Sequence, residues 1–355
     1  MQDCGVSCIH ATHVNTRADL GTAMGILVTG GAGYIGSHMV LHLADAGEKV
    51  VVLDNLTTGF PWLVDHRVKL VEGNVADADL VSKVIAEHEI DAIIHFAGSI
   101  IVPESVKNPL KYYKNNTANT RDLIAAAVAG GVKHFIFSST AAVYGMVGLE
   151  PVGEDAILSP VSPYGRSKLM SEWMLADVAA AHPMTYGVLR YFNVAGADPE
   201  MRSGQSTAGA THLIKVAVQT ALGHRDKMNV FGDDYPTPDG TCVRDYIHVS
   251  DLVAAHGLLL GHLRGGGENI TVNCGYGRGF SVDEVVSTVK SVTGIDFAVE
   301  HGPRRPGDPA SIVAGADRIK ALGWVPRHDD LAGIVEMAYK WEKYLDTRND
   351  RPSIL

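Results

Sequence analysis

The chain has 355 residues, 46% of them hydrophobic and 20% charged, which suggests about two domains and excludes a wholly disordered protein. Forty acidic against thirty basic residues give a net charge of −10 with no Lys/Arg-rich run, so neither nucleic acid nor an anionic membrane surface is an expected partner. Apolar runs such as 125–128 and 258–260 are far shorter than the ~18–20 residues of a spanning helix.

Residues 1–23 hold no sustained apolar run and are expected to be a disordered extension rather than a secretory signal. Cys4, Cys8, His10 and His13 lie there with nothing to pack on, so no metal site is expected. Met24 directly precedes the first convincing strand and is a candidate start. Strand 26–29 leads into a glycine-rich turn at 30–36, then helix 37–46, which Gly47 closes. Strands follow at 50–53, 68–71 and 92–96, with a helix at 79–89 between the last two. A helix at 116–129 precedes strand 134–138, and helix 163–181 precedes strand 186–191. Strands alternating with helices predict right-handed βαβ units and a doubly wound parallel sheet covered on both faces. Segments 198–211 and 232–243 read as long loops of the kind that handle ligand. Helices resume at 212–222, 249–263, 281–293 and 331–345, and a domain boundary is placed near 195–200. The remaining cysteines, Cys242 and Cys274, form no CxxC pair with any other, which fits a reducing cytoplasm.

Glycine is abundant, at 38 residues against a background near ~7%. Gly30, Gly33 and Gly36 form a G-x-x-G-x-x-G turn between strand and helix. The first permits the turn, the second lets backbone approach a pyrophosphate, and the third lets the helix pack on the strand. Asp54 closes the second strand, where a carboxylate accepts from adenosine ribose hydroxyls and repels a 2′-phosphate; this argues for NAD over NADP. Tyr164 and Lys168 form Tyr-x-x-x-Lys at the start of a helix and so share a face. A lysine ammonium one turn away, with a charged nicotinamide ring, would favour the phenolate. Ser138, Ser139 and Thr140 end a parallel strand, the edge at which such sheets hold ligands.

The segments TGGAGYIGSH, LDNL, HFAG, FSSTAAVYG, SPYGRSK, LRYFNVAGAD, FGDDYPTPDGTCVRDYIHVSD and RRPGDP resemble the UDP-glucose 4-epimerases, a branch of the extended short-chain dehydrogenase/reductase family. The resemblance spans residues 24–345. It implies an NAD-binding Rossmann domain at 24–197, a smaller mixed α/β sugar-nucleotide domain at 198–346 with some chain returning to the first, and a tail at 347–355.

The resemblance also implies roles. Tyr164 would take the proton from the sugar 4-hydroxyl, Lys168 would hold the nicotinamide ribose and lower the tyrosine pKa, and Thr140 would be the catalytic hydroxyl. NAD contacts would come from Gly30, Gly33, Tyr34, Ile35, Gly36, Asp54 and Asn55 around the adenosine and diphosphate. Asn74 and Val75 would meet the adenine edge, with Asn74 where relatives often have aspartate. Phe96, Ala97, Gly98, Asn116, Ser138, Ser139 and Tyr191 would complete the cofactor site, and Ile100 stands where many relatives have lysine. The UDP-hexose would meet Asn193, His212, Phe231, Arg244, Tyr246, Arg305, Asp308 and Ser311, with arginine forks on phosphate oxygens. His212 stands where asparagine is common. Ser311 stands where some relatives have tyrosine, and the smaller side chain would admit UDP-N-acetylhexosamines.

A 4,6-dehydratase is the first rival, but its Asp-Glu pair is replaced by Ala141-Ala142. Epimerisation of another UDP-sugar stays open. A non-catalytic scaffold would tend to lose Tyr164 or Lys168, and both are present. As in relatives, helices 116–129 and 162–181 are expected to pair with their copies in a homodimer.

Overall fold

The computed structural model describes residues 24–305 and 307–348; the expected extension at 1–23 and residues 349–355 of the tail lie outside the described residues. The first half runs β1 (Gly25–Thr29), α1 (Tyr34–Asp45), β2 (Lys49–Asp54), β3 (Lys69–Glu72), α2 (Ala78–His88), β4 (Ile90–His95), α3 (Val102–Lys107), α4 (Pro109–Tyr112), α5 (Asn119–Ala129), β5 (His134–Ser138), α6 (Pro163–Ala181) and β6 (Thr185–Tyr191). The second half runs β7 (Asn193–Ala195), α7 (Leu213–Ala221), β8 (Met228–Phe231), β9 (Val243–His248), α8 (Val249–Arg264), β10 (Ile270–Cys274), β11 (Gly279–Ser281), α9 (Val282–Thr293), β12 (Val299–Gly302), β13 (Ser311–Ile312), α10 (Asp317–Ala321) and α11 (Leu331–Asp346).

The main sheet has seven strands in the order β10-β6-β5-β4-β1-β2-β3, every pairing parallel. Alternate residues of β1 explain its two faces. Ile26 and Val28 pack with Met39 and Val40 of α1 and Leu252 and Leu259 of α8, while Leu27 packs with Val81 of α2 and Leu123 of α5. Helix α8 and strand β10 therefore belong to this sheet although both follow residue 197. The rest of the second half builds a small sheet in the order β11-β9-β13, with β7 also on β9, and a β8–β12 pair.

The helix expected at 116–129 begins earlier. Helical chain runs from Pro109, and Tyr113–Ala118 is a π-helical stretch that carries Asn116 inward. One residue is accommodated in a wider turn there, which hydrophobic spacing cannot reveal. Helix α9 starts in a full capping box made by Ser281 and Glu284.

Helices α1 and α8 pack together, and each carries a buried histidine bonded to its own preceding turn. His38 Nδ1 lies 2.7 Å from the Tyr34 carbonyl and His256 Nδ1 lies 2.9 Å from that of Leu252. Burial holds His38 and His256 down to about 4, and His95 and His248 down to about 3. The unfolded chain titrates near 6.5, so between roughly pH 6.5 and 4 it binds more protons than the folded one, and stability falls as pH falls. We expect each of these groups to cost about 2 kcal/mol at pH 5, read as a drop in the urea midpoint between pH 7 and pH 5. His256→Gln should reduce that drop by about a quarter, and a wild-type midpoint that does not move between pH 7 and pH 5 would contradict the assignment.

Candidate active site

Most of the first-half positions gather at the carboxyl ends of β1, β2, β4, β5 and β6, around the place where strand order reverses between β1 and β4. Gly30 takes φ +72°, and a Cβ there would lie 2.6 Å from the Ala97 nitrogen; a Cβ on Gly36 would lie 2.1 Å from the Gly30 carbonyl oxygen. Only glycine lets the turn, the start of α1 and the β4 loop approach so closely. Gly33 N-caps α1 with no side chain on the free N–H groups and no acidic residue in the first turn. Those donors and the helix dipole suit a phosphate anion.

Asp54 fixes its carboxylate beside this turn, accepting from the Ala32 nitrogen at 2.9 Å and the Leu56 nitrogen at 2.8 Å. Each oxygen keeps a lone pair for a ribose hydroxyl. Asn55 is exposed, and its Oδ1 accepts from the Thr57 nitrogen at 3.1 Å. Tyr34 donates to the Gly196 carbonyl at 2.7 Å, tying α1 to the end of β7; Ile35 is half-buried beside it. Val75 is buried, and Asn74 Oδ1 accepts from the Ala76 nitrogen at 2.9 Å, so the neighbouring loop conformation already engages it. Phe96 lies 4.9 Å from the His256 ring.

Ser162 caps α6 by accepting from the Gly165 nitrogen at 3.2 Å, and Pro163 opens the helix. This presents Tyr164 and Lys168 on one face, both buried. Lys168 Nζ donates to the Ser138 carbonyl at 2.9 Å and stands 4.9 Å above the Phe137 ring. Burial lowers the Lys168 pKa to about 8, opposed by the charge of Glu172. The Gly98 Cα is so close that a Cβ would lie 3.7 Å from Nζ.

Thr140 accepts from the Ala142 nitrogen at 3.1 Å and shares a hydrogen bond with the Tyr164 hydroxyl. Burial raises the Tyr164 pKa well above its usual value, neighbouring Tyr191 and Tyr112 add to this, and only the Thr140 bond lowers it. Lys168 does not figure among these influences, and the expected shift toward phenolate calls on the nicotinamide charge as well. The dry surroundings favour the neutral phenol. A further positive charge in the crevice is what would release the proton.

Ser138 donates to the Tyr191 hydroxyl at 3.0 Å. The Ser139 hydroxyl bonds instead to Glu172, which pairs with Arg190 at 2.6 Å inside the domain, so any Ser139 contact with a ligand is through its backbone. Asn116 donates to the Ser99 carbonyl at 2.9 Å and to Ser167 Oγ at 3.1 Å, and accepts from the Ser99 nitrogen at 2.7 Å. It braces the β4 loop against α6. Sequence reasoning passed over Ser99 and Asn115, whose Nδ2 donates to Ser99 Oγ at 3.0 Å. The doubled asparagine was the available signal.

Several second-half positions meet around β9. Asn193 opposes Tyr246 in register and donates to the Asp245 carbonyl at 3.3 Å. Arg244 reaches Asp308 at 3.4 Å, and Ser311 opposes Val243. The Arg305 guanidinium stacks 3.8 Å over Phe231. His212 stands at the start of α7, with Nδ1 3.4 Å from Gln205 Nε2. Asp245 also escaped notice. Its buried carboxylate accepts from the nitrogens of Tyr276 at 3.0 Å, Gly277 at 2.9 Å and Ala314 at 3.2 Å, clasping three segments behind Arg244.

Residues 26–275 match the model of the NAD dependent epimerase/dehydratase family. The chain belongs to that family. A UDP-glucose 4-epimerase of Azospirillum brasilense is 56% identical over 322 residues, covering 90% of this chain and 92% of the relative. The crystal structure of a UDP-glucose 4-epimerase from Brucella ovis in complex with NAD superposes with TM-score 0.87 at 43% identity, covering 90% of this chain and 98% of that one. A UDP-glucose 4-epimerase from Stenotrophomonas maltophila with bound NAD and formylated UDP-arabinopyranose gives TM-score 0.88 at 39% identity, covering 91% and 99%. The fold of this epimerase/dehydratase family member is thus the expected Rossmann-type α/β fold with parallel sheet, and its glycine cradle fits NAD.

Gly36→Ala forces a methyl to 2.1 Å from a backbone oxygen, so turn and helix must part. The expected result is purified protein with at least tenfold less bound NAD, measured by absorbance after denaturation; wild-type content would refute the cradle.

Proposed function

We propose that this chain is an NAD-dependent isomerase, a UDP-glucose 4-epimerase that interconverts UDP-galactose and UDP-glucose. The observation that carries this reading is Tyr164, hydrogen-bonded to Thr140 and one turn from a buried Lys168, at the sheet edge that also carries the glycine cradle. The 56% identity over 90% of the chain supports the same activity.

NAD when bound supplies a two-electron acceptor and donor that ends each turnover in the form in which it began. The chain supplies the acid/base chemistry and the geometry. The Tyr164 oxygen takes the proton from the sugar 4-hydroxyl and returns it to the epimeric oxygen. Thr140 keeps a donor on the tyrosine oxygen when it is ionised, and the Ser138 carbonyl holds the Lys168 ammonium in place. Arg244 and Arg305 suit the diphosphate of UDP by charge and fork geometry, with Asn193, Tyr246, Phe231, Asp308 and Ser311 nearby. His212 joins this set on the resemblance alone. Anchoring the nucleotide at a distance from the reacting carbon leaves the 4-keto sugar free to turn over within the site.

The dehydratase alternative lacks its acid/base pair, since Ala141 and Ala142 carry no transferable proton. Action mainly on UDP-N-acetylhexosamines, suggested by the small Ser311, is not favoured by the relatives described above. We expect Tyr164→Phe to lower turnover by about 10²–10⁴-fold with NAD content unchanged, followed as UDP-glucose formed from UDP-galactose with a coupled dehydrogenase. Wild-type rates in that variant would overturn the mechanism.

The finer reading adds a homodimer and a cytoplasmic setting. Ile124, Ala125 and Val128 of α5 and Met174 and Val178 of α6 line a shallow groove between the two helices. Its apolar floor supports burial against the same face of a second copy, in a four-helix arrangement. No helix among the described residues is long and apolar enough to cross a membrane. Sedimentation at micromolar concentration should give a dimer that Val128→Glu dissociates; a monomeric wild-type chain would exclude it.

A further inference from the structure

The segment after Asp54 returns to the dinucleotide turn from outside. The Phe60 nitrogen donates to the Ala32 carbonyl at 2.9 Å, and Gly59 packs so tightly on Ala32 that a Cβ would fall 2.9 Å from it. Ala32 in turn donates to Asp54. The glycine turn therefore has a buttress made of residues 54–60. Leu56 within that buttress sits at φ +57°, a conformation side chains disfavour, and its nitrogen is held by Asp54 at 2.8 Å.

Its support comes from the other end of the chain. Trp62 lies 5.6 Å from Phe60 and stacks on Trp341 of α11, with centroids 6.2 Å apart and planes 22° apart. Arg348, just past α11, covers Trp62 with its guanidinium 3.9 Å from the ring. Trp341 is itself immovable: it is 2% exposed, its indole donates to Ser206 Oγ at 3.2 Å, and Gly204 lies against its ring so closely that a Cβ would be 2.4 Å away.

We infer that the Trp62–Trp341 stack is a clasp by which the C-terminal helix holds the NAD-binding turn closed, making both tryptophans positioning residues for the cofactor. This rests on the glycine turn being the NAD site. It accounts for how a cofactor that must survive every turnover is retained by a turn whose own contacts are backbone only. Aromatic pairs contribute about 0.5–1.5 kcal/mol beyond area burial, so losing the stack is expected to change cofactor affinity by up to about tenfold.

The test uses the full chain in its NAD-loaded form. Trp62→Ala should release NAD several-fold to about tenfold faster, measured by trapping free NAD with an auxiliary dehydrogenase. UDP binding to the loaded protein, measured by calorimetry, should be unchanged, and Trp62→Phe should restore retention. Trp62→Leu keeps bulk without the ring and gives the same readout if the alanine variant does not fold. Wild-type release rates in Trp62→Ala and Trp62→Leu, or an equal loss of UDP affinity, would overturn the clasp. A wild-type chain that binds no NAD would instead overturn the reading of the site.

Discussion

An ammonium group kept almost free of water at the mouth of the sheet is the constraint to which the rest answers. Lys168 is 3% exposed, and a charge so placed must be compensated by fixed dipoles or partners. The Ser138 carbonyl, the Phe137 face and the more distant Glu172 provide this. Glu172 is then buried as well and requires Arg190 and Ser139. The close approach of Gly98, the bracing by Asn116 and the π-helical turn that delivers Asn116 all serve the same small volume. Acid/base chemistry in this site is thus a by-product of how one cation is housed.

The local order of the first half was legible because each element is punctuated. Strand β5 and helix α6 fall at the residues expected, since a β-branched and aromatic run and a Ser-Pro cap leave little choice. The glycine turn and Tyr-x-x-x-Lys were legible for the same reason: their chemistry needs particular residues at particular spacings. Less visible was everything that depends on distant chain. Strand β10, with Thr271 and Asn273 among its five residues, drew no strand expectation, and nothing in it says that its partner is β6. Short strands such as β7, β11 and β13 have two or three residues each and are strands only because β9 is present. Asp245, in the middle of a matched block, gave no sign that its carboxylate would face three backbone nitrogens rather than a ligand.

The two halves divide the work by rigidity. The first half shapes its crevice with backbone and with turns that only glycine permits. Around β9, long side chains predominate, and Arg305 over Phe231 and Arg244 beside Asp308 are charged groups held by a ring and a carboxylate. Such groups can exchange those partners for phosphate at little conformational cost, which suits a substrate that must enter and leave.

The interleaving of the sheet also governs how the molecule is made. Strand β10 pairs with β6, α8 packs on α1 and Trp324 joins the same core, so that core is incomplete until Trp324 has been synthesised. By then the loops of the second half have already emerged from the ribosome. Contacts of such long sequence separation form slowly. The nascent chain therefore carries an open edge on β6 from Tyr191 until β10 at Ile270–Cys274 is made, and its two halves are one folding problem rather than two.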